Sequence, residues 1–141
     1  MLFDPDNNIV KLCANGMTAE GQGQTQEASR LFNQAWEEAS NDFEKFTAAH
    51  YVARHQKSVA DKLKWDETSL QFALKLNDET IKGFYPSLYL NIAKCYEDMN
   101  DMELARSNYQ TALSFSNFLP DDGYGKMIKT GILTGITRIS K

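Results

Sequence analysis

The sequence predicts an all-α fold made of antiparallel helix pairs, and three observations carry that expectation. Prolines occur only at positions 5, 86 and 120, and between residues 7 and 118 the only glycines are Gly16, Gly21, Gly23 and Gly83. The proline-free stretches place apolar residues at i, i+3 and i+4, the period of a helix with one buried face. No sustained apolar–polar alternation occurs, and no Asn-Gly or Asp-Gly pair links β-branched runs, so strand and hairpin signals are missing.

Seven helices follow in order. The first spans about Asn8 to Glu20 and the second about Thr25 to Ala39, with Gly21-Gln22-Gly23 between them. The third runs from near Asp42 to near Gln56, with Asn41 as its cap and Glu44, three residues on, as the reciprocal partner. The fourth covers about Ser58 to Leu76. It carries two apolar stripes, Val59, Leu63, Leu70 and Leu74 on one side and Trp65, Phe72 and Leu76 nearly opposite, as a helix held between two neighbours requires. Asn77 to Tyr85 reads as a loop. Pro86 suits the first residue of the fifth helix, which ends near Asn100. Asn100, with Glu103 three on, opens the sixth helix, which ends near Asn117. Pro-Asp-Asp-Gly at 120–123 is a turn signal, and the last helix covers about Lys126 to Ile139. Short links make consecutive helices antiparallel neighbours. Hairpins at about 8–39, 42–76 and 86–117, with a capping helix at about 126–139, outline one solenoid domain over residues 8–141.

Composition narrows the function classes. The chain has 141 residues, enough to bury a core without help from disulfides or metals. Its net charge is −4, so it lacks the basic footprint of a nucleic-acid binder and is repelled by anionic lipid surfaces. No apolar run approaches a membrane span, and Met1-Leu2-Phe3-Asp4 has no signal-peptide character, which makes the cytoplasm the expected address. Cys13 and Cys95 sit in separate helical segments and read as buried, reduced thiols.

The motifs that suggest chemistry are weak. Gly21-Gln22-Gly23 follows no strand and lacks a third glycine, so it is a helix-to-helix turn, not a dinucleotide loop. His50 and His55 are five apart and diverge on a helix, which rules out His-x3-His zinc geometry; His50 reads as a packing histidine with a hydrogen-bond partner. Gly131-x3-Gly135 suits close packing of the capping helix. Phe115, Phe118 and Tyr124 form either core beneath that cap or a contact surface. Neither a cofactor nor a catalytic constellation is indicated, so the chain reads as a non-enzyme.

The strongest pattern is a repeat. Tyr89-x2-Ile92-Ala93-x2-Tyr96 is followed by Ala105-x3-Tyr109-x2-Ala112, and Ala28-x3-Phe32-x2-Ala35 repeats the second half. Ala19 precedes Ala28 by the spacing at which Tyr96 precedes Ala105, and Gly23 and Asn100 share the inter-helix position where a left-handed backbone is often needed. Over roughly residues 8–117 this resembles the tetratricopeptide repeat family, whose units read W-x2-L-G-x2-Y and then A-x3-F. The middle hairpin departs from it. Its first helix fits as Phe46-x2-Ala49-His50-x2-Ala53 or as Phe43-x2-Phe46-Thr47-x2-His50, and its second lacks Ala-x3-Phe-x2-Ala.

The resemblance implies a right-handed α-solenoid that binds a protein or peptide partner, an extended segment or a helix, along a concave groove lined by the first helix of each pair. Projected on the family frame, the lining residues are Cys13, Met17 and Glu20, then Tyr51 and, in one register, Arg54, then Leu90, Asn91, Lys94 and Glu97. Asn91 occupies the place at which several peptide-binding members hold the ligand backbone. The basic clamp of the chaperone-tail binders is missing, because its positions hold Cys13, Met17, Ser87 and Asn91. A homodimer joined through an apolar edge is the alternative role.

Overall fold

The computed structural model describes residues 4–141, which are helical with no strand among them. They fall into two compact units that divide between Leu76 and Asn77. The first holds α1 (Asn8–Gly21), α2 (Thr25–Glu38), α3 (Asp42–Val52) and α4 (Val59–Leu74). The second holds a single-turn α5 (Glu79–Lys82), α6 (Tyr85–Asp98), α7 (Met102–Ser114) and α8 (Gly123–Ile139). The seven long helices are those the periodicity predicts, and the fold is all-α with packed helix pairs.

Capping chemistry sets the boundaries. The Asn7 side chain accepts the Ile9 and Val10 N–H groups at the start of α1, at 2.8 and 3.1 Å. Asn41 accepts the Glu44 N–H at 2.8 Å, as expected, while the Glu44 carboxylate accepts the Ser40 N–H at 2.9 Å. Asn100 does not cap α7. That task falls to Asp101, which accepts the Leu104 N–H at 3.2 Å, because Asn100 is in the left-handed region at φ 63°. Gly23 is there too, at φ 76°, and the two turns close alike. The residue after each donates back to the preceding helix, Gln24 N–H to Ala19 C=O at 2.8 Å and Asp101 N–H to Tyr96 C=O at 2.9 Å.

Three further differences have local causes. The α-helical part of α3 stops at Val52 and tightens into a 3-10 turn over Ala53–His55. Asp78 caps α5 inside the stretch expected to be loop. Asp122 accepts the Gly125 N–H at 2.9 Å and so starts α8 three residues before Lys126.

In the first unit Ala28, Phe32 and Ala35 are completely buried and pack with Ile9, Cys13, Ala48 and Val52. α4 contributes Leu63, Asp66, Ser69 and Ala73 to the interior, and Leu74 is 52% exposed. This corrects the expected apolar stripe. The Ser69 hydroxyl donates to the Phe46 carbonyl at 2.9 Å, and Asp66 pairs with Lys62 at 2.6 Å. The burial matches a degenerate repeat half, Asp66-x3-Leu70-x2-Ala73, in which aspartate stands at the small-residue place.

In the second unit Ala93, Ala105, Tyr109 and Ala112 are completely buried, and α8 packs against both α6 and α7. Gly135 lies against the Tyr109 ring and Gly131 against the Leu90 side chain, the close approach expected of the two glycines. Ala105→Phe would force a ring into the contact with Ala93, and overpacking of this kind costs about 1–3 kcal/mol. A thermal melt followed by far-UV circular dichroism should show a midpoint several degrees lower, and an unchanged midpoint would refute the pairing register.

Candidate partner-binding faces on the first helices

In the second unit the four lining positions of α6 divide into two pairs. Leu90 and Glu97 are engaged by α8. Leu90 packs among Ile128, Ile132 and Ile136. The Glu97 carboxylate accepts Arg138 Nε and Nη2 at 2.7 and 2.8 Å and the Tyr109 hydroxyl at 2.7 Å. Hydrogen bonds from the Arg138 guanidinium, with a further one from Tyr109, outweigh the cost of burial and lower the Glu97 pKa to about 2. Arg138 was not legible as a partner, since it lies 41 residues away in the chain.

Asn91 and Lys94 are the other pair. Asn91 is partly buried, and its carboxamide makes no hydrogen bond with any described residue. Lys94 is half exposed and bridges to Asp98 one turn on. Ser87 is buried and contributes no surface.

In the first unit Cys13 is only 2% exposed and belongs to the core, which removes it from the lining set. Burial raises its thiol pKa to about 12, so it is not a nucleophile at neutral pH. Met17 is 41% exposed. Glu20 is held by Arg54 at 3.1 Å and by His55 at 2.7 Å. Tyr51 stacks on Phe32 with centroids 5.0 Å apart, and the Arg54 guanidinium lies over the Tyr51 ring at 5.6 Å. The structure thus brings Tyr51, Arg54, His55 and Glu20 together at one end of α3. His55 belongs to this group through Glu20, a long-range contact that helical spacing does not reveal.

Two aromatic clusters lie elsewhere. Trp36 meets Trp65 edge-on at 5.0 Å, with the Lys45 ammonium 4.7 Å above the Trp36 ring. Phe115 is partly buried against Tyr85 and Tyr89, whereas Phe118 and Tyr124 are exposed and border a shallow apolar pocket with Phe84 and Pro120. Of the two roles open to the last three aromatics, Phe115 takes the core one and the others lie on the surface. Among the described residues no group of three or more His, Cys, Asp or Glu is placed to hold a metal, and no helix is long and apolar enough to cross a membrane.

The geometry of α6 and α7, with small residues at the crossing, an aromatic between Ala105 and Ala112, and a left-handed residue in the turn, is matched by comparison with known families. Residues 86–117 fit the family model described as tetratricopeptide repeat. The third hairpin is a tetratricopeptide repeat. No curated protein and no solved structure matches the chain. Tetratricopeptide repeats are in general protein-interaction modules, and α6, which carries Asn91, is the first helix of this one.

Proposed function

We propose that the protein is a non-catalytic interaction module whose first-helix faces bind a peptide or a partner helix. The observation that carries the reading is Asn91. A carboxamide offers a donor and an acceptor, so it can pair with a peptide unit of any sequence. On α6 it is partly buried, makes no hydrogen bond with any described residue, and lies one turn before Lys94. Leu90 and Glu97 on the same helix are held by α8. In the first unit the exposed Met17 offers a thioether on α1, and Arg54, paired with Glu20 and lying over the Tyr51 ring, keeps its cation about half exposed.

The test is selection of binders from a displayed library of extended peptides, followed by titration of a selected peptide. Asn91→Ala should weaken binding by about 1–3 kcal/mol if the ligand buries the amide's hydrogen bonds, and should leave the melting midpoint unchanged. Unchanged affinity with reduced stability would make Asn91 a structural residue and defeat the proposal.

A further inference from the structure

The two units contain the same three-helix arrangement, and the correspondence extends beyond the hairpins to the helix that follows each. Glu20 of α1 pairs with Arg54 at the end of α3, and Glu97 of α6 pairs with Arg138 at the end of α8. Three residues before each arginine, Tyr51 stacks on Phe32 and Gly135 abuts Tyr109. Ala48 and Val52 pack into the α1–α2 core, and Ile132 and Ile136, at the matching places, pack against α6 and α7. So α8 stands to its hairpin as α3 stands to the first.

The opposite faces then differ. On α3 that face carries Phe43 and Phe46, with Ala49 and, in the turn that continues it, Ala53. All four are buried, α4 packs on α3, and its Ser69 hydroxyl reaches the Phe46 carbonyl. The same positions on α8 are Met127, Thr130, Leu133 and Thr137, and all are exposed, Met127 at 62% and Leu133 at 45%. The second unit has no counterpart of α4 among the described residues. The face also has cations beside it. α8 contains no acidic residue, Lys126 and Lys129 are exposed and adjoin Met127 and Thr130, and the third cation, Arg138, is committed to Glu97.

We infer that the outer face of α8 is a docking site for an acidic amphipathic helix of a partner protein, lying on α8 as α4 lies on α3. The apolar stripe of the incoming helix covers Met127 and Leu133. Its flanking carboxylates meet Lys126 and Lys129, both exposed. Charge complementarity selects this occupant, because a basic helix would be opposed by the lysines and a neutral one would leave them unused. The mode is helix-in-groove recognition with anchors at helical spacing. It uses a face separate from Asn91 and stands independently of the function proposed above.

The experiment titrates the full chain against two synthetic helical 18-mers with the same leucine–alanine stripe, one with glutamates along its flanks and one with lysines. The glutamate peptide should bind saturably at one per chain and at least about tenfold more tightly than the lysine peptide, since a single misplaced charge contact is worth roughly that factor. The double variant Met127→Glu, Leu133→Glu should lose at least about tenfold in affinity with its melting curve unchanged, as should Thr130→Glu, which leaves Met127 and Leu133 in place and sets a like charge against the carboxylates of the peptide. Absence of saturable binding, equal binding of the two peptides, or binding that survives both variants would overturn the inference. So would a concentration-dependent dimer in light scattering that the double variant abolishes, which would make a second copy the occupant. Co-sedimentation of the protein, but not of the double variant, with vesicles of phosphatidylserine and phosphatidylcholine would assign the face to a lipid surface and overturn it likewise.

Discussion

Gly135→Val is expected to lower the stability of the second unit by about 3 kcal/mol or more, at the upper end of the range for overpacked cores. A β-carbon at Gly135 would fall inside contact distance of the Tyr109 ring. The ring cannot withdraw. It is completely buried, and its hydroxyl donates to Glu97 at 2.7 Å and accepts from Arg138 at 3.1 Å. Relief must therefore come from moving α8, which also breaks the Arg138–Glu97 pair. Gly16→Val should act similarly in the first unit, because Gly16 lies against the Phe32 ring, itself completely buried. Two other glycines separate this mechanism from a general loss of chain flexibility. Gly21 has open space around it and an ordinary backbone, so Gly21→Ala should be neutral or stabilising by a few tenths to about 1 kcal/mol. Gly23 also has open space but sits at φ 76°, so Gly23→Ala should be destabilising by roughly 1 kcal/mol through backbone strain alone. Circular dichroism melts of the four variants give the ordering. Gly135→Val melting like the parent would mean that α8 does not pack on Tyr109 as described.

The contrast between these glycines shows what the sequence could and could not convey. Ala28, Phe32, Ala35 and Ala105, Tyr109, Ala112 were legible because three positions in fixed register leave a periodic trace, and all six are completely buried. Gly23 and Asn100 were legible because few residues tolerate a left-handed backbone. The middle hairpin was obscure for a chemical reason. Asp66 and Ser69 occupy interior places, and a pattern built on apolar and small residues passes over them. Leu74 misled in the other direction, since an apolar residue at helical spacing looks buried whether or not a neighbour covers it. The lining residues divided along the same line. Projection on the family frame names α6 positions, but only tertiary contact reveals that α8 takes up Leu90 and Glu97, or that Cys13 turns inward. Arg138 and His55 gain their roles from carboxylates 41 and 35 residues away, beyond the reach of local spacing.

His50 is expected to make the first unit lose stability as pH falls from about 6.5 to about 4. Its ring sits edge-on to Tyr51 at 5.3 Å, and its Nδ1 is buried with no hydrogen-bond partner, contrary to the partner expected from sequence. Burial lowers its pKa from 6.5 to about 4, and the nearby charges of Arg54 and Lys62 act in the same direction. The unfolded chain binds a proton at this residue below about pH 6.5, and the folded chain does not until about pH 4. Protonation therefore favours unfolding throughout that window. Stability is fully retained above pH 6.5, falls through the window, and loses about 3 kcal/mol in total from this group by pH 4. Carboxylates also titrate toward the lower end, so the wild-type curve alone does not isolate the effect. His50→Phe does, because it keeps a ring beside Tyr51 and removes the titrating group. Urea unfolding followed by tryptophan fluorescence reports on the same unit, as Trp36 and Trp65 are the only tryptophans and both lie in it. Between pH 7 and pH 4.5 the wild type should lose about 2–3 kcal/mol more than His50→Phe. At pH 7 the variant should be no less stable than the parent, since it also eliminates a buried nitrogen that no group satisfies. Parallel pH profiles for the two proteins would show that His50 is protonated in the fold as easily as in the unfolded chain, and the packing described for α3 around it would then be wrong.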